Sequence, residues 1–230
     1  MSTPADIQIK KLYKESVECV KYLDRLMTQE SIDLSLIFSS KTVTIRNRLC
    51  EYCEKILFLK PLLYGKRADE IIWRKCFYEP IHKIRKRLHV DLSENDRCQY
   101  YLLLSSASGH YTSLLIRIQQ ELQFELPFSP DFSMRRQLPW NNAIQEDKSN
   151  DSESLKDFAL NLSHRVLIYL GDLARYQQEL CQPGDIRLAQ YYYQWALRLK
   201  PFHGQPHNQL GTLFGDKNFG LDAAFCYLRW

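Results

Sequence analysis

The stretch Ser163–Trp230 decides the fold of this chain, because one short pattern occurs in it twice. The pattern first reads Tyr-Leu-Gly-Asp-Leu-Ala-Arg-Tyr at residues 169–176 and recurs in weaker form as Asn-Gln-Leu-Gly-Thr-Leu at residues 208–213. Between the two copies lies Ala-Gln-Tyr-Tyr-Tyr-Gln-Trp-Ala at residues 189–196, which Pro201 closes. A Leu-Gly pair in one helix, alanines in the next and a closing proline are typical of tetratricopeptide-like helical hairpins.

The spacing of the repeat can be counted from its glycines. A tetratricopeptide unit has about 34 residues, whereas Gly171 and Gly211 are 40 residues apart. The six surplus residues are assigned to the segment Gln177–Asp185. The second unit has Ala223 twelve residues after its glycine and runs out at Trp230. Because an array that stops within a repeat helix leaves an apolar face uncapped, we expect the sequence to be a fragment of a longer protein.

The composition predicts a globular, all-α protein. Of the 230 residues, 45% are hydrophobic and 13% are aromatic, which excludes a disordered chain. Only 8 Gly and 9 Pro interrupt long stretches of helical periodicity. The net charge of +4 is too small to indicate nucleic-acid binding by itself. The sequence has no signal peptide and no apolar run of membrane-spanning length, so we expect a soluble chain without a membrane partner.

The cysteines predict an intracellular protein with reduced thiols. There are seven of them, an odd number, and their spacing shows no disulfide framework. Cys50 and Cys53 form a CxxC pair, but no second pair or histidine cluster follows at the spacing of a metal site. We therefore expect buried thiols, with no metal site and no other cofactor.

Apolar periodicity predicts four long helices before residue 127. The fourth is apolar or small nearly all round in its middle, which predicts a central, buried helix. Within it, Ser105–Gly109 is a patch of small residues that fits either an internal helix crossing or a contact with another subunit. Pro80 lies inside the third helix and should kink it. The four helices cover Ile7–Met27, Lys41–Leu63, Ala68–Leu88 and Arg97–Leu126.

A predicted loop separates these helices from the rest of the chain. Residues 127–156 contain three prolines and a polar, acidic, Ser-rich segment, so we expect them to be mobile. The predicted organisation is a helical domain over residues 1–180 and the start of a repeat region over residues 181–230. The helices predicted after the loop cover Leu155–Leu180, Ile186–Lys200, Gln205–Gly215 and Leu221–Trp230.

The sequence contains no catalytic constellation, and we predict that the chain is not an enzyme. It lacks a Gly-rich phosphate loop, a nucleophile elbow and a zinc-binding helix motif. The function that remains is ligand binding. The planar guanidinium group of Arg can donate two parallel hydrogen bonds to a phosphate, and Tyr can donate one from its hydroxyl. Arg175-Tyr176 and Arg74-Lys75 are the candidates. For Arg175, an ion pair with Asp172 is the alternative. The basic run at residues 83–87 fits a solvated helix face or an anion-binding patch.

Three segments of the chain resemble one known family. They are residues 169–176, Gly-Gln-Pro-His-Asn-Gln-Leu-Gly at 204–211 and Ala-Ser-Gly-His-Tyr at 107–111. They are similar to the SMG factors of nonsense-mediated mRNA decay and to their telomerase-associated relative, the Ever-Shorter-Telomeres-one protein. The resemblance spans nearly the whole chain. It implies a 14-3-3-like antiparallel helical bundle over about residues 1–180, continued by tetratricopeptide-like hairpins.

The resemblance implies a phosphoserine pocket. The family's pocket arginine matches Arg175, whereas its second basic residue, a lysine, falls at Tyr78. That departure weakens the pocket, and Arg74 and Arg85 on the same helix are candidates to compensate for it. The phosphopeptide-binding residues are therefore predicted to be Arg175, Tyr176, Arg74, Tyr78 and Arg85.

The resemblance also implies a dimer interface on the fourth helix. The family's helix-contact glycine matches Gly109, which favours a subunit contact for the patch of small residues. The predicted interface residues are Gly109, Ser105, Ser108 and His110.

The function that the resemblance implies is that of an adaptor in nonsense-mediated mRNA decay. The chain would form a heterodimer with a related SMG factor and help recruit or recycle the phosphorylated decay helicase, with a phosphatase as a further partner. The implied location is the cytoplasm, with passage to the nucleus. The alternative is a telomerase-associated accessory protein that binds RNA or telomeric DNA, which rests on family analogy and on the basic run at residues 83–87.

Overall fold

The structure, a computed structural model, describes residues 4–28, 33–87, 92–126, 150–181, 185–215 and 219–230. These residues form nine helices and no strand, so the predicted all-α fold is confirmed. The helices are α1 (Pro4–Met27), α2 (Leu34–Phe38), α3 (Ser40–Leu59), α4 (residues 61–85), α5 (Glu94–Glu121), α6 (Asn150–Cys181), α7 (Arg187–Leu199), α8 (Gly204–Gly215) and α9 (Gly220–Leu228).

Helix α4 alternates between two helical geometries. Its π-helical turns Pro61–Gly65 and Ile72–Tyr78 are followed by the α-helical segments Lys66–Ile71 and Glu79–Arg85. The residues at each junction keep right-handed helical dihedrals, so the four segments form one continuous helix. A π-helical turn holds one residue more than an α-helical turn, and such turns are frequent at functional sites.

The structure corrects the predicted boundary between the second and third helices. Helix α3 ends at Leu59 rather than Leu63, because Lys60 leaves the helical conformation at φ −143° and ψ 74°. Pro61 then begins α4, since proline needs no amide donor in the first turn of a helix. Pro80 is buried directly after the π-helical turn Ile72–Tyr78, and the helix continues through it.

Successive long helices pack in antiparallel pairs. At one end of the α1–α3 pair, Lys60 Nζ lies 2.5 Å from Asp6 Oδ1, and at the other end the Tyr22 and Thr42 hydroxyls are 3.4 Å apart. Helix α5 runs antiparallel to both α4 and α6, as its contacts show: Phe77 with His110, Tyr111 with Tyr169, and Ser105 with Gln177. It follows that α4 and α6 run parallel to each other.

An aromatic cluster joins α4, α5 and α6 at one level of the bundle. The rings of Trp73 and Tyr169 stack 4.3 Å apart, with only 10° between their planes. Tyr111 meets Trp73 edge-on at 5.8 Å and Phe77 at 5.7 Å. Because buried aromatic side chains remove large apolar areas from water and prefer such geometries, this cluster fixes the three helices against one another.

The prediction that the fourth helix is buried all round is wrong. One face of α5 is fully buried, with Tyr100, Leu104, Ala107 and Tyr111 in the core. On the other face Tyr101 and Leu102 are 46% and 54% exposed. Ser93 caps the helix, because its hydroxyl accepts a hydrogen bond of 3.1 Å from the Asp96 amide.

The two copies of the repeat pattern pack in the same way. A Cβ atom on Gly171 would lie 2.3 Å from the ring of Tyr193, and one on Gly211 would lie 2.6 Å from the ring of Tyr227. In each copy, the tyrosine that packs on the glycine also donates a hydrogen bond to the residue after that glycine. Tyr193 donates to Asp172 at 2.7 Å, and Tyr227 donates to Thr212 at 3.5 Å. The tyrosine follows its glycine by 22 residues in the first copy and by 16 in the second, which accounts for the six surplus residues.

The predicted loop extends too far. Helix α6 begins at Asn150, so residues 150–156 are helical. Residues 127–149 lie outside the described part of the chain. The sequence analysis also missed α2, whose first turn Asp33 caps by accepting a hydrogen bond of 3.0 Å from the Ser35 amide.

The seven cysteines are free thiols. Cys53 is buried, and burial raises the pKa of its thiol to about 12. Among the described residues, no three His, Cys, Asp or Glu side chains are arranged to hold a metal ion. None of the described helices is both long and apolar enough to span a bilayer.

Candidate functional site

Two arginines from different helices meet over one tyrosine ring. The Arg85 guanidinium, at the end of α4, lies 4.3 Å from the ring centre of Tyr176, and the Arg175 guanidinium on α6 lies 5.0 Å from it. Three of the five predicted phosphopeptide residues are therefore neighbours, although residue 85 is 91 positions from residue 176. Cations over an aromatic face are held in place by the ring's electron density, so Tyr176 keeps both guanidinium groups on one side of the bundle.

A carboxylate already occupies this pair of arginines. Glu179 accepts two hydrogen bonds from Arg85, at 2.9 and 2.8 Å, and lies 3.8 Å from Arg175 Nη1. The fork-to-fork geometry of Arg85 and Glu179 is the one that a phosphate would also satisfy. Arg85, Arg175, Tyr176 and Glu179 form what we call the arginine cluster. It opens to solvent, because Glu179 and both arginines are partly exposed.

The predicted ion pair of Arg175 with Asp172 is present and is part of the same cluster. Arg175 Nη2 lies 3.4 Å from Asp172 Oδ1, which also accepts the Tyr193 hydroxyl. Arg175 Nε is buried and has no hydrogen-bond partner in the described part of the chain. A buried donor without a partner is costly. In addition to its pair with Asp172, Arg175 therefore has one hydrogen-bond donor, Nε, that is not satisfied.

Burial shifts the pKa values of the tyrosines and of the aspartate in the cluster. Burial, together with the Asp172 carboxylate, raises the pKa of Tyr176 to about 12, so its hydroxyl carries a proton near neutral pH. Burial also raises the pKa of Asp172, whereas Arg175 and the Tyr193 hydroxyl act in the opposite direction. Asp172 Oδ1 accepts hydrogen bonds from both the Tyr193 hydroxyl and Arg175 Nη2.

The other two predicted residues lie outside the cluster. Arg74 Nε bonds Glu79 at 3.0 Å, and the side chain is 71% exposed. Tyr78 packs between Trp73, at 6.1 Å, and His82, at 5.7 Å. The structure therefore offers Arg85 rather than Arg74 to compensate for the lysine that is absent at residue 78.

The π-helical turn of α4 helps to align the cluster. Asp69 pairs with Arg165 and Trp73 stacks on Tyr169, and in both pairs the partners are 96 positions apart. Arg85 and Glu179 are 94 positions apart. Helix α4 thus uses two more residues than α6 over the same interval, which includes the wide turn Ile72–Tyr78.

Sequence reasoning missed two residues of the cluster. The signal for Glu179 was available, because it follows Arg175 by one helical turn, the spacing of an ion pair. Tyr100 gave no signal. Its hydroxyl is buried, has no hydrogen-bond partner among the described residues and feels the charges of Arg85 and Glu179, while burial raises its pKa.

The predicted interface residues divide between the surface and the interior. A Cβ atom on Gly109 would have open space around it, so no close helix crossing requires this glycine within the described part of the chain. Ser105 and Ser108 are half-buried, and Ser105 accepts a hydrogen bond of 3.5 Å from Gln177. His110 instead points inward, where its Nδ1 lies 3.1 Å from Glu54. The structure therefore brings Gly109, but not His110, to the outer face of α5.

Fold and cluster together define a helical bundle with tetratricopeptide-like hairpins and an arginine-lined site between two parallel helices. The family model described as telomerase activating protein Est1 matches residues 67–180, and the Est1 DNA/RNA binding domain matches residues 189–229. The chain belongs to the Est1 and SMG family, as the sequence analysis predicts.

Relatives of known identity resemble nearly the whole chain. It is 37% identical to nonsense-mediated mRNA decay factor SMG5 of Mus musculus and 36% identical to that of Homo sapiens, in each case over 97% of this chain and 22% of the relative. It is 28% identical to SMG7 of Danio rerio, over 92% of this chain and 18% of the relative. Within the family, the sequence alone favours the SMG member numbered five, on residues 73–78, 176–177 and 226–229, and the identity to SMG5 is higher than that to SMG7 of Danio rerio. The chain spans about a fifth of the length of these relatives.

Proposed function

We propose that this chain is a non-enzymatic adaptor in nonsense-mediated mRNA decay that holds a phosphorylated serine of a partner protein at Arg85, Arg175 and Tyr176. The observation that carries the proposal is the convergence of two guanidinium groups on one tyrosine, with a carboxylate between them. A phosphate bears more charge and more acceptor oxygens than that carboxylate. It can therefore displace Glu179 and take over the bonds of Arg85.

The family relatives supply the biological setting. SMG5 and SMG7 are named as nonsense-mediated mRNA decay factors, so we propose the phosphorylated helicase of that pathway as the ligand and a related SMG factor as the second subunit. The outer face of α5, with Gly109 at its centre, is the proposed contact with that subunit. We further propose a phosphatase as another partner of the chain, and a location in the cytoplasm with passage to the nucleus.

The test is a titration of a phosphoserine peptide from the decay helicase, followed by fluorescence anisotropy. We expect the chain to bind the phosphorylated peptide at least tenfold more tightly than the unphosphorylated one, because each charge-assisted bond adds affinity. Arg175→Glu should abolish that difference. Arg48→Glu is the matched control, since Arg48 is exposed on α3, a helix that contributes no residue to the cluster. Equal binding of both peptides by the unmodified chain would contradict the proposal.

A second candidate function is nucleic-acid binding by the repeat region. The observation that favours it is a pair of arginines seated on partly exposed aromatic rings, Arg198 on Trp195 at 5.4 Å and Arg229 on Phe225 at 5.2 Å, within the segment that matches the Est1 DNA/RNA binding domain. Bases stack on such surfaces. We expect single-stranded RNA to bind with an affinity that falls steeply with salt, and Arg198→Glu with Arg229→Glu to remove it. Salt-independent or undetectable binding would exclude this function.

A further inference from the structure

A groove of about 1020 Å³ lies between α1 and α4. Apolar and aromatic side chains form its walls and floor, and five cationic side chains stand around it. None of the three proposed phosphate-binding residues lines it. The apolar lining includes Tyr13, Val17, Tyr64, Trp73, Tyr78 and Tyr169.

One end of the groove lies next to the arginine cluster, because α4 and α6 contribute residues to both. Tyr78 on α4 and Tyr169 on α6 line the groove. Arg85 and Tyr176 lie seven residues further along their respective helices, which is two helical turns on the same face. Because α4 and α6 are parallel, the step from the groove to the cluster has the same direction along both helices. The rise of seven helical residues places the near end of the groove, at Tyr78 and Tyr169, about 10 Å from Arg85 and Tyr176.

The charges around the groove favour an acidic ligand. Its lining contains one carboxylate, Glu70, and five cations: Lys10, Lys21, Arg67, Arg74 and Lys75. Several of these are paired with carboxylates, but Arg67 and Arg74 remain largely exposed and keep donors directed to solvent. A phosphorylated segment rich in Asp and Glu would complement this rim.

The mouth of the groove is aromatic. Tyr13, Tyr64 and Tyr78 are each between 40% and 63% exposed. Tyrosines that surround an apolar depression are the residues that most often dominate the affinity of a peptide interface. A large apolar side chain inserted between them would cover all three rings.

We infer that the groove binds a bulky apolar side chain, Leu, Phe or Trp, of the same peptide whose phosphoserine the arginine cluster holds. The inference rests on the proposed function and specifies its ligand. An extended peptide advances about 3.3 Å per residue, so the separation of about 10 Å places the apolar residue three positions from the phosphoserine. The ligand class is thus an acidic phosphopeptide with one bulky apolar residue at that spacing.

The test compares four fluorescent peptides on the 230-residue chain. Two carry phosphoserine with Phe three residues before or three residues after it, the third has Ala at both positions, and the fourth is the better Phe peptide without phosphate. We expect one Phe phosphopeptide to bind about tenfold more tightly than the Ala phosphopeptide, since burial of a large apolar side chain is worth about that factor or more.

A groove-filling variant separates the two sites. Val17→Trp should remove the tenfold advantage of the Phe peptide and leave the Ala phosphopeptide unaffected. Lys14→Trp is the matched control, because Lys14 is exposed on the same helix and does not line the groove. Arg175→Glu should instead remove phosphate-dependent binding of all the peptides. Unchanged helical circular dichroism confirms that each variant is folded.

The outcomes distinguish failure of the inference from failure of the proposed function. If the Phe and Ala phosphopeptides bind equally and Val17→Trp has no effect, the groove inference is overturned while the phosphate site stands. If the unphosphorylated Phe peptide binds as tightly, the groove acts independently and the inference is overturned. If the chain forms a dimer in sedimentation and Val17→Trp makes it monomeric, a second copy occupies the groove and the inference is overturned. If no phosphopeptide binds, both proposals fail.

Discussion

At the residue scale, Gly171 and Gly211 show how a missing side chain fixes a helical hairpin. Each glycine lets a tyrosine ring of the next helix lie directly on the backbone. The environments of the two rings differ, because Tyr193 is completely buried and Tyr227 is 45% exposed. The first ring cannot move away from an added atom, whereas the second can turn towards solvent.

We therefore expect Gly171→Ala to destabilise the fold by about 1 to 3 kcal/mol, the usual cost of overpacking a core, although alanine favours the helix. Gly211→Ala should cost less, since its ring can yield. Urea denaturation followed by circular dichroism would measure both. Gly109→Ala is the control, because its added methyl group meets open space and should raise the free energy of unfolding by up to about 1 kcal/mol. A stable Gly171→Ala protein would show that Tyr193 is mobile.

At the scale of the element, the Asp69–Arg165 ion pair is a buried link between α4 and α6. The Asp69 side chain is fully buried, and one of its oxygens lies 2.8 Å from Arg165 Nε. We expect Asp69→Ala to lower the free energy of unfolding by about 3 kcal/mol, because it leaves the largely buried Arg165 without its partner.

The double variant Asp69→Ala with Arg165→Met should recover much of that loss, since an apolar pair of similar volume needs no charge compensation. The difference between the single and double variants, again from urea denaturation, measures the cost of the uncompensated cation. A single variant as stable as the unmodified chain would mean that Arg165 finds another partner.

Apolar periodicity was sufficient for the long helices, and the glycine spacing was sufficient for the register of the repeats. Apolar periodicity failed where the composition of a segment does not indicate its secondary structure. The first turn of α6 is polar and Ser-rich, so residues 150–156 resembled the preceding loop. The π-helical turns of α4 pack against α1, α3, α5 and α6, and no local sequence pattern records those contacts. Arg85 was a candidate from the resemblance, but its bond to Glu179 joins positions 94 apart and needed the fold.

At the scale of the whole molecule, α5 has an outer face that the described part of this chain does not cover. We expect Gly109→Glu to abolish pairing with a related SMG subunit in size-exclusion chromatography, because a charged side chain would project from that face at an exposed position. The monomer should keep its helicity and unfolding midpoint, since the new side chain points into open space.

Gly215→Glu is the control for that experiment, because it adds the same charge at another open position, on α8. Pairing should persist in this variant. Loss of the helical signal in Gly109→Glu would instead show that the outer face of α5 packs within the monomer.

The Glu179 carboxylate between the two arginines has a consequence for partner recognition. Under the proposed function, the Glu179 carboxylate competes with the ligand for the two arginines. A ligand must therefore bind them more strongly than a single negative charge that belongs to the same helix as Arg175. An aspartate or glutamate in a partner exchanges like for like and gains nothing, whereas a phosphate near neutral pH carries close to two charges. The site would then work as a threshold: replacing a partner's serines by acidic residues would mimic the unmodified partner rather than the phosphorylated one.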